Sequence, residues 1–210
     1  MIPSKNECLC LLHAAGCSSR VIAHSIVVCE LSLLIADSIN LKTPGLVSLS
    51  EVEAGALLHD IGRSALHSIH HACAGAAICR SHEIDLKICD IVLHHIGAGL
   101  TSSEARELGL PPVDYTPISL EAKIIAHADN LVMGKRIVPL RKRIKRAKND
   151  GIPPAAIKRM IHLHNEINGL CLFPVEKLEM KKETLKKRIK KRIQNAILDS
   201  KQGLGSPSAK

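Results

Sequence analysis

Only two of the 210 side chains carry a benzene ring, Tyr115 and Phe173, and there is no tryptophan. Yet 46% of the chain is hydrophobic, so a core of useful size must be filled by Leu, Ile, Val, Ala and Cys. Small and branched aliphatics suit helices that approach closely, and they cannot furnish the aromatic-rich faces of a β-sandwich. The same shortage bears on partners, because aromatic stacking is the usual platform for single-stranded nucleic acid.

The apolar spacing agrees with an all-α chain. A short helix is expected over 6–15, stopped by Gly16, and a longer one from Ser18 or Ser19 to about Asp37, with Val21, Val28, Leu31 and Ile35 on one face. Residues 41–49 read as a loop. Ser50 and Glu53 have capping-box spacing for a helix reaching His59 and Asp60 and ending near Gly62. Further helices are expected at 71–80, at 85–95 capped by Asp85, and at 101–109 behind a second box, Thr101 and Glu104. After the loop PPVDYTP, Ser119 opens another through Met133. No strand is convincing. PPAAIKRMIHLHNEI and EKLEMKKETLKKRIKKRIQNAIL follow as helices, the second with Leu185, Ile189, Ile193 and Ile197 in a row. The expected organisation is a bundle domain over 1–137 with its core at about 18–134, a basic helical extension over 138–198, and a disordered tail over 199–210.

Charge divides along the same line. Through Gly134 there are 8 Lys and Arg against 14 Asp and Glu, and from Lys135 onward 21 against 6. A basic end of this kind can meet RNA phosphates through Arg141, Lys142, Arg143, Lys187, Arg188 and Lys191, or can be a solvated helix docked by its apolar row. No signal peptide and no apolar run near the roughly 20 residues of a membrane span is evident. The eight cysteines form no C-x-x-C pair, and several sit in apolar patterns as small hydrophobes. A reducing cytoplasm and no membrane partner are the expectation.

Against this background LLHDIGRSALHSIHH is unusual. His24 lies on the stripe of Val21 and Val28, His59 follows Val52 and Ala56, His95 follows Ile88 and Ile91, and Asp129 follows Ala122 and Ile125. These groups point inward. An ionised carboxylate buried without a partner costs several kcal/mol or more, so Asp60 and Asp129 must be paired, protonated or bound to metal. No Lys or Arg is expected on the inward faces, whereas imidazoles are. A mixed nitrogen and oxygen donor set suits Mn, Fe, Co, Ni or Zn.

HDIG at 59–62, with His24 upstream, His71 and His95 downstream and Asp129 in AHADNL, resembles the HD superfamily of metal-dependent phosphohydrolases over about residues 5–134. HDIGR, HHIGAGLTSSEARELGLPP and AHADNL together are most similar to a mainly archaeal HDIG branch. The resemblance implies two divalent transition ions, one held by His24, His59, Asp60 and Asp129, and the other by Asp60, His71 and His95. His70 and His94 stand as alternative ligands, should the helical phase differ by one residue. It implies a phosphohydrolase or phosphodiesterase acting on a nucleotide or RNA-linked phosphate ester through a metal-activated hydroxide. Asp60 and Arg63 would be catalytic, with Arg63 and His94 contacting substrate. The cyclic-dinucleotide branch carries GYP after its His pair, where this chain has IGAG. The alternative is a metal-containing HD module that binds nucleotide or RNA without turnover. His127, two positions before Asp129, cannot share that residue's face.

Overall fold

Six helices begin at a side chain that accepts a backbone amide: Ser4, Ser18, Ser48, Asp85, Thr101 and Ser119. Each satisfies one of the donors a helix start leaves open. The computed structural model describes residues 1–175 and Gln194, and in it these caps open α1 (Lys5–Ala14), α2 (Ser19–Lys42), α3 (Leu49–Leu58), α5 (Leu86–His94), α6 (Ser102–Glu107) and α7 (Leu120–Asn130). A 3-10 turn (Ile61–Ser64) precedes α4 (His71–Ser81). After α7 come β1 (Val132–Met133), β2 (Arg136–Ile137), α8 (Leu140–Asn149) and α9 (Pro154–Leu170). The all-α reading holds apart from the two-residue strands.

The long α2 is the axis of the bundle. It meets no Gly or Pro until Pro44, and Thr43, the residue before that proline, leaves the helix in extended conformation. It therefore runs past Asp37 to Lys42, and the expected 41–49 loop shortens accordingly. By length and composition α2 could cross a membrane, which corrects the expectation that no segment approaches such a span. However, 78% of its most apolar window is buried within the molecule. α3 and α7 pack on α2, and α5 packs on both α3 and α7. α4 lies on α5 and on the 3-10 turn, and α9 lies on α7.

The start of α3 and the stop of α7 also differ from the sequence reading. α3 is capped by Ser48, not by a Ser50–Glu53 box, because the Asn40 side chain bonds Val47 at both its amide and its carbonyl, 3.0 and 2.9 Å. The Ser48 amide then donates to Glu121 at 2.9 Å. α7 stops at Asn130 rather than Met133, because Gly134 turns the chain at φ +63° and Val132 pairs Ile137 in a small antiparallel hairpin.

In the described part of the basic segment, Met160, Leu163 and Ile167 of α9, with Cys171 and Val175, join the same aliphatic core as α2, α3 and α7. α8 packs on α9 and exposes its basic residues other than the half-buried Arg143. The long helix expected over 176–198, with Lys187, Arg188 and Lys191, and the 199–210 tail lie outside the described residues.

Candidate metal centre

The HDIG segment works by leaving the helix at the right residue. α3 ends at Leu58, and Asp60 takes φ −99°, ψ 12°, outside the helical well. Successive side chains that a continuing helix would have splayed are thereby both turned toward His24 and His95. Gly62 then lets the 3-10 turn lie against α4. A Cβ there would sit 1.9 Å from the His71 carbonyl oxygen and 2.5 Å from the Gly75 amide, so only glycine permits this approach.

Four imidazoles are oriented in one way. Nδ1 of His24 donates to the carbonyl of Gly134 (2.9 Å), of His59 to Ala56 (2.8 Å), of His71 to Ser68 (2.7 Å) and of His95 to Val92 (2.7 Å). A carbonyl only accepts, so Nδ1 carries the proton and each Nε2 is presented to the centre. The carboxylates meet them there. Asp129 Oδ1 lies 2.9 Å from His24 Nε2 and 3.7 Å from His59 Nε2. Asp60 is divided: Oδ2 faces His24 (3.9 Å) and His59 (3.8 Å), whereas Oδ1 faces His71 (3.1 Å) and His95 (3.6 Å).

This arrangement is unfavourable for protein atoms alone and fits a cation. Nε2 of His71 and Nε2 of His95 are 3.1 Å apart, each with its proton committed to a carbonyl on the other side of the ring. Two lone pairs at that distance need a positive charge between them. His59 Nε2 and Asp60 Oδ1 are buried with no hydrogen-bond partner, an omission that costs about 1–3 kcal/mol for a polar atom and more for a charged one. Donor atoms of His24, His59 and Asp129, and of His59, Asp60 and His95, each lie within 4.8 Å of one another. Imidazole with carboxylate is a donor set for a divalent transition metal.

Electrostatics follow from burial and these neighbours. Burial pushes His59 down to about 4, outweighing the two carboxylates. For His24 burial acts the same way, but its hydrogen bond to Asp129 wins and raises it to about 9. Burial would raise both Asp carboxyls. The His24 bond holds Asp129 below the usual carboxylate range.

The six expected ligands thus converge, and the neighbouring candidates lie elsewhere. His94 donates to the Asp90 carbonyl at 2.8 Å, and its ring is 6.0 Å from Tyr115. His70 reaches the Gly109 carbonyl at 3.2 Å. His127 is fully buried against His164. Arg63 corrects the expectation that no cation faces the carboxylates, because its Nε lies 2.7 Å from Asp60 Oδ2 with the side chain 32% exposed. A cavity of about 420 Å³ opens on His24 and Asp60, and its other walls are Ser18, Arg20, Val21, Arg63, His67 and Gly134. Arg20 and His67 were not singled out from sequence. Arg20 carried a signal, since it lies one helical turn before His24. His67 lies in an irregular turn where no period applies. On the basic segment Arg141 and Lys142 are exposed and Arg143 is half-buried.

The profile described as HD domain matches residues 21–134. The chain belongs to the HD-domain family. An uncharacterized protein of Methanocaldococcus jannaschii is 47% identical to this HD-domain chain over 73% of its length and 91% of the relative's. A tRNA (cytidine(56)-2'-O)-methyltransferase of Picrophilus torridus is 41% identical over 81% of this chain and 48% of the relative, so the chain spans about half the length of that protein. Among solved structures, the HD domain of the L. monocytogenes phosphodiesterase PgpH aligns at 22% identity with a TM-score of 0.47, over 78% of this chain and 98% of that one.

Proposed function

We propose that this HD domain is a metal-dependent phosphohydrolase acting on the phosphate ester of a nucleotide or of RNA, and that it works in the cytoplasm. One observation carries the reading: the two oxygens of Asp60 face different imidazoles, His24 and His59 on one side, His71 and His95 on the other. A carboxylate so placed would serve two ions, with His24, His59 and Asp129 holding one, and His71 and His95 the other. Bound divalent ions would lower the pKa of a coordinated water toward neutrality and offset the charge of phosphoryl oxygens. The chain's own part is orientation. Four backbone carbonyls hold the imidazoles, the aliphatic core behind His59 and His95 keeps bulk water from that side, and Arg63 keeps a guanidinium beside Asp60 where a phosphate oxygen would be met.

Metal content per chain, after anaerobic purification and after reconstitution with Mn or Fe, tests this together with hydrolysis of simple phosphate monoesters and diesters. Two ions in the wild type, both weakened in Asp60→Ala with hydrolysis reduced about 100-fold or more, is the expected result. One ion would favour a single-ion mechanism with His71 and His95 contacting substrate, and none after reconstitution would overturn the proposal.

A second reading has its own support. The relative from Picrophilus torridus is named a tRNA methyltransferase, and the hairpin beside the cavity leads through Lys135 and Arg136 into the exposed basic residues of α8. In this reading the chain serves RNA as a binding module, with or without turnover. Salt-dependent RNA binding that is weakened by charge removal at Arg141, Lys142 and Arg143, with metal content unchanged, would support it. Binding indifferent to salt would argue against it.

A further inference from the structure

The cavity beside the metal centre holds a cation that the site chemistry above does not use. Arg20 lies in the first turn of α2 and is exposed, and it has no ion-pair partner among the described residues. Arg63, Arg146 and Arg159, by contrast, are each held by a carboxylate. Arg20 and His24 are four residues apart on α2, so they share a helical face, and both line the cavity together with Arg63. The amino-terminal end of the 24-residue α2 is at the same wall, through Ser18 and Val21. A helix start adds positive potential there.

We propose that Arg20 joins Arg63 in holding the phosphoryl group of the substrate. This rests on the phosphohydrolase reading and gives that site a second phosphate-holding cation.

The test uses the full-length metal-loaded protein and binding of inorganic phosphate by titration calorimetry, for the wild type, Arg20→Ala and Arg20→Lys, with metal content measured for each. The expected result is roughly tenfold weaker phosphate binding in Arg20→Ala, partial recovery in Arg20→Lys, and unchanged metal content. Phosphate binding equal in Arg20→Ala and wild type would overturn the assignment of Arg20, as would no phosphate binding in the wild type. The two readings fail separately: phosphate binding that depends on Arg20, without hydrolysis of any ester, sinks the enzyme and leaves the subsite. Hydrolysis with phosphate binding unaffected by Arg20→Ala sinks only the subsite.

Discussion

Gly62 is the residue at which one methyl group would do most damage. Its α-carbon faces the backbone of α4, and the atoms a Cβ would meet, the His71 carbonyl oxygen and the Gly75 amide, belong to a helix that cannot yield as a side chain can. Gly62→Ala must push the 3-10 turn off α4, separating Asp60 from His71. We expect a loss of stability of about 2–4 kcal/mol, at or above the usual range for overpacking, together with weaker metal binding. Urea denaturation and metal titration of the variant check this, and a wild-type midpoint would show that the turn relaxes more freely than its close contact with α4 implies. At this scale the sequence was readable where helical phase was secure. His24, His59 and Asp129 lie in or beside long apolar stripes, and their direction followed from spacing. It was less readable at helix ends. His71 is the first residue of α4 and His95 the cap of α5, so the choice against His70 and His94 depended on one residue of phase. The Arg63–Asp60 pair was invisible because it exists only once the chain leaves α3 for a 3-10 turn.

Among the elements, α9 has the least obvious task. Arg159 donates to the Glu104 carboxylate at 2.6 Å and to the Gly99 carbonyl at 3.3 Å. Glu104 itself closes the capping box of α6. The loop between His95 and α6 is thus gripped from behind by a helix sixty residues on, and from the side by Asn130, whose amide donates to the Gly97 carbonyl at 2.7 Å. Arg159→Ala should leave the bundle folded while raising amide hydrogen exchange across residues 97–104 by about tenfold, the effect of losing roughly 1.4 kcal/mol of local protection. Unchanged exchange there would show that Asn130 suffices. Nothing in the sequence announces the grip, since a charged pair fifty-five positions apart leaves no periodic trace. Caps were the most legible feature at this scale, with Ser18, Asp85, Thr101 and Ser119 all anticipated. The start of α3 was misread because Asn40, on another helix, decides where it begins.

The whole molecule is an aliphatic core that shelters thiols as well as hydrocarbons. Cys8 and Cys79 are completely buried, and burial pushes both from an ordinary value near 9 up to about 12. In the unfolded chain these thiols ionise near pH 9, whereas in the native state they stay protonated until about 12. Their contribution to stability is therefore complete below pH 9 and is lost between 9 and 12, at about 1.4 kcal/mol per pH unit for each thiol. Urea midpoints measured from pH 8 to 11 should fall steeply above 9, and Cys8→Ala should fall less steeply. A flat profile in the wild type would contradict the burial argument. The all-α architecture was legible from the missing aromatics and the apolar period. The place of α9 in the core was less so, because Lys158, Arg159 and His162 mask its apolar face. One feature of this assembly bears on how the protein is made. His24 is aimed by the carbonyl of Gly134, and its partner Asp129 lies a few residues before that turn. As a ribosome releases the chain from its amino terminus, the first histidine of the centre waits for more than a hundred further residues before anything can orient it. The ligand set cannot assemble around a metal ion early in synthesis, and the nascent chain must build nearly all of its bundle before it has anywhere to put one.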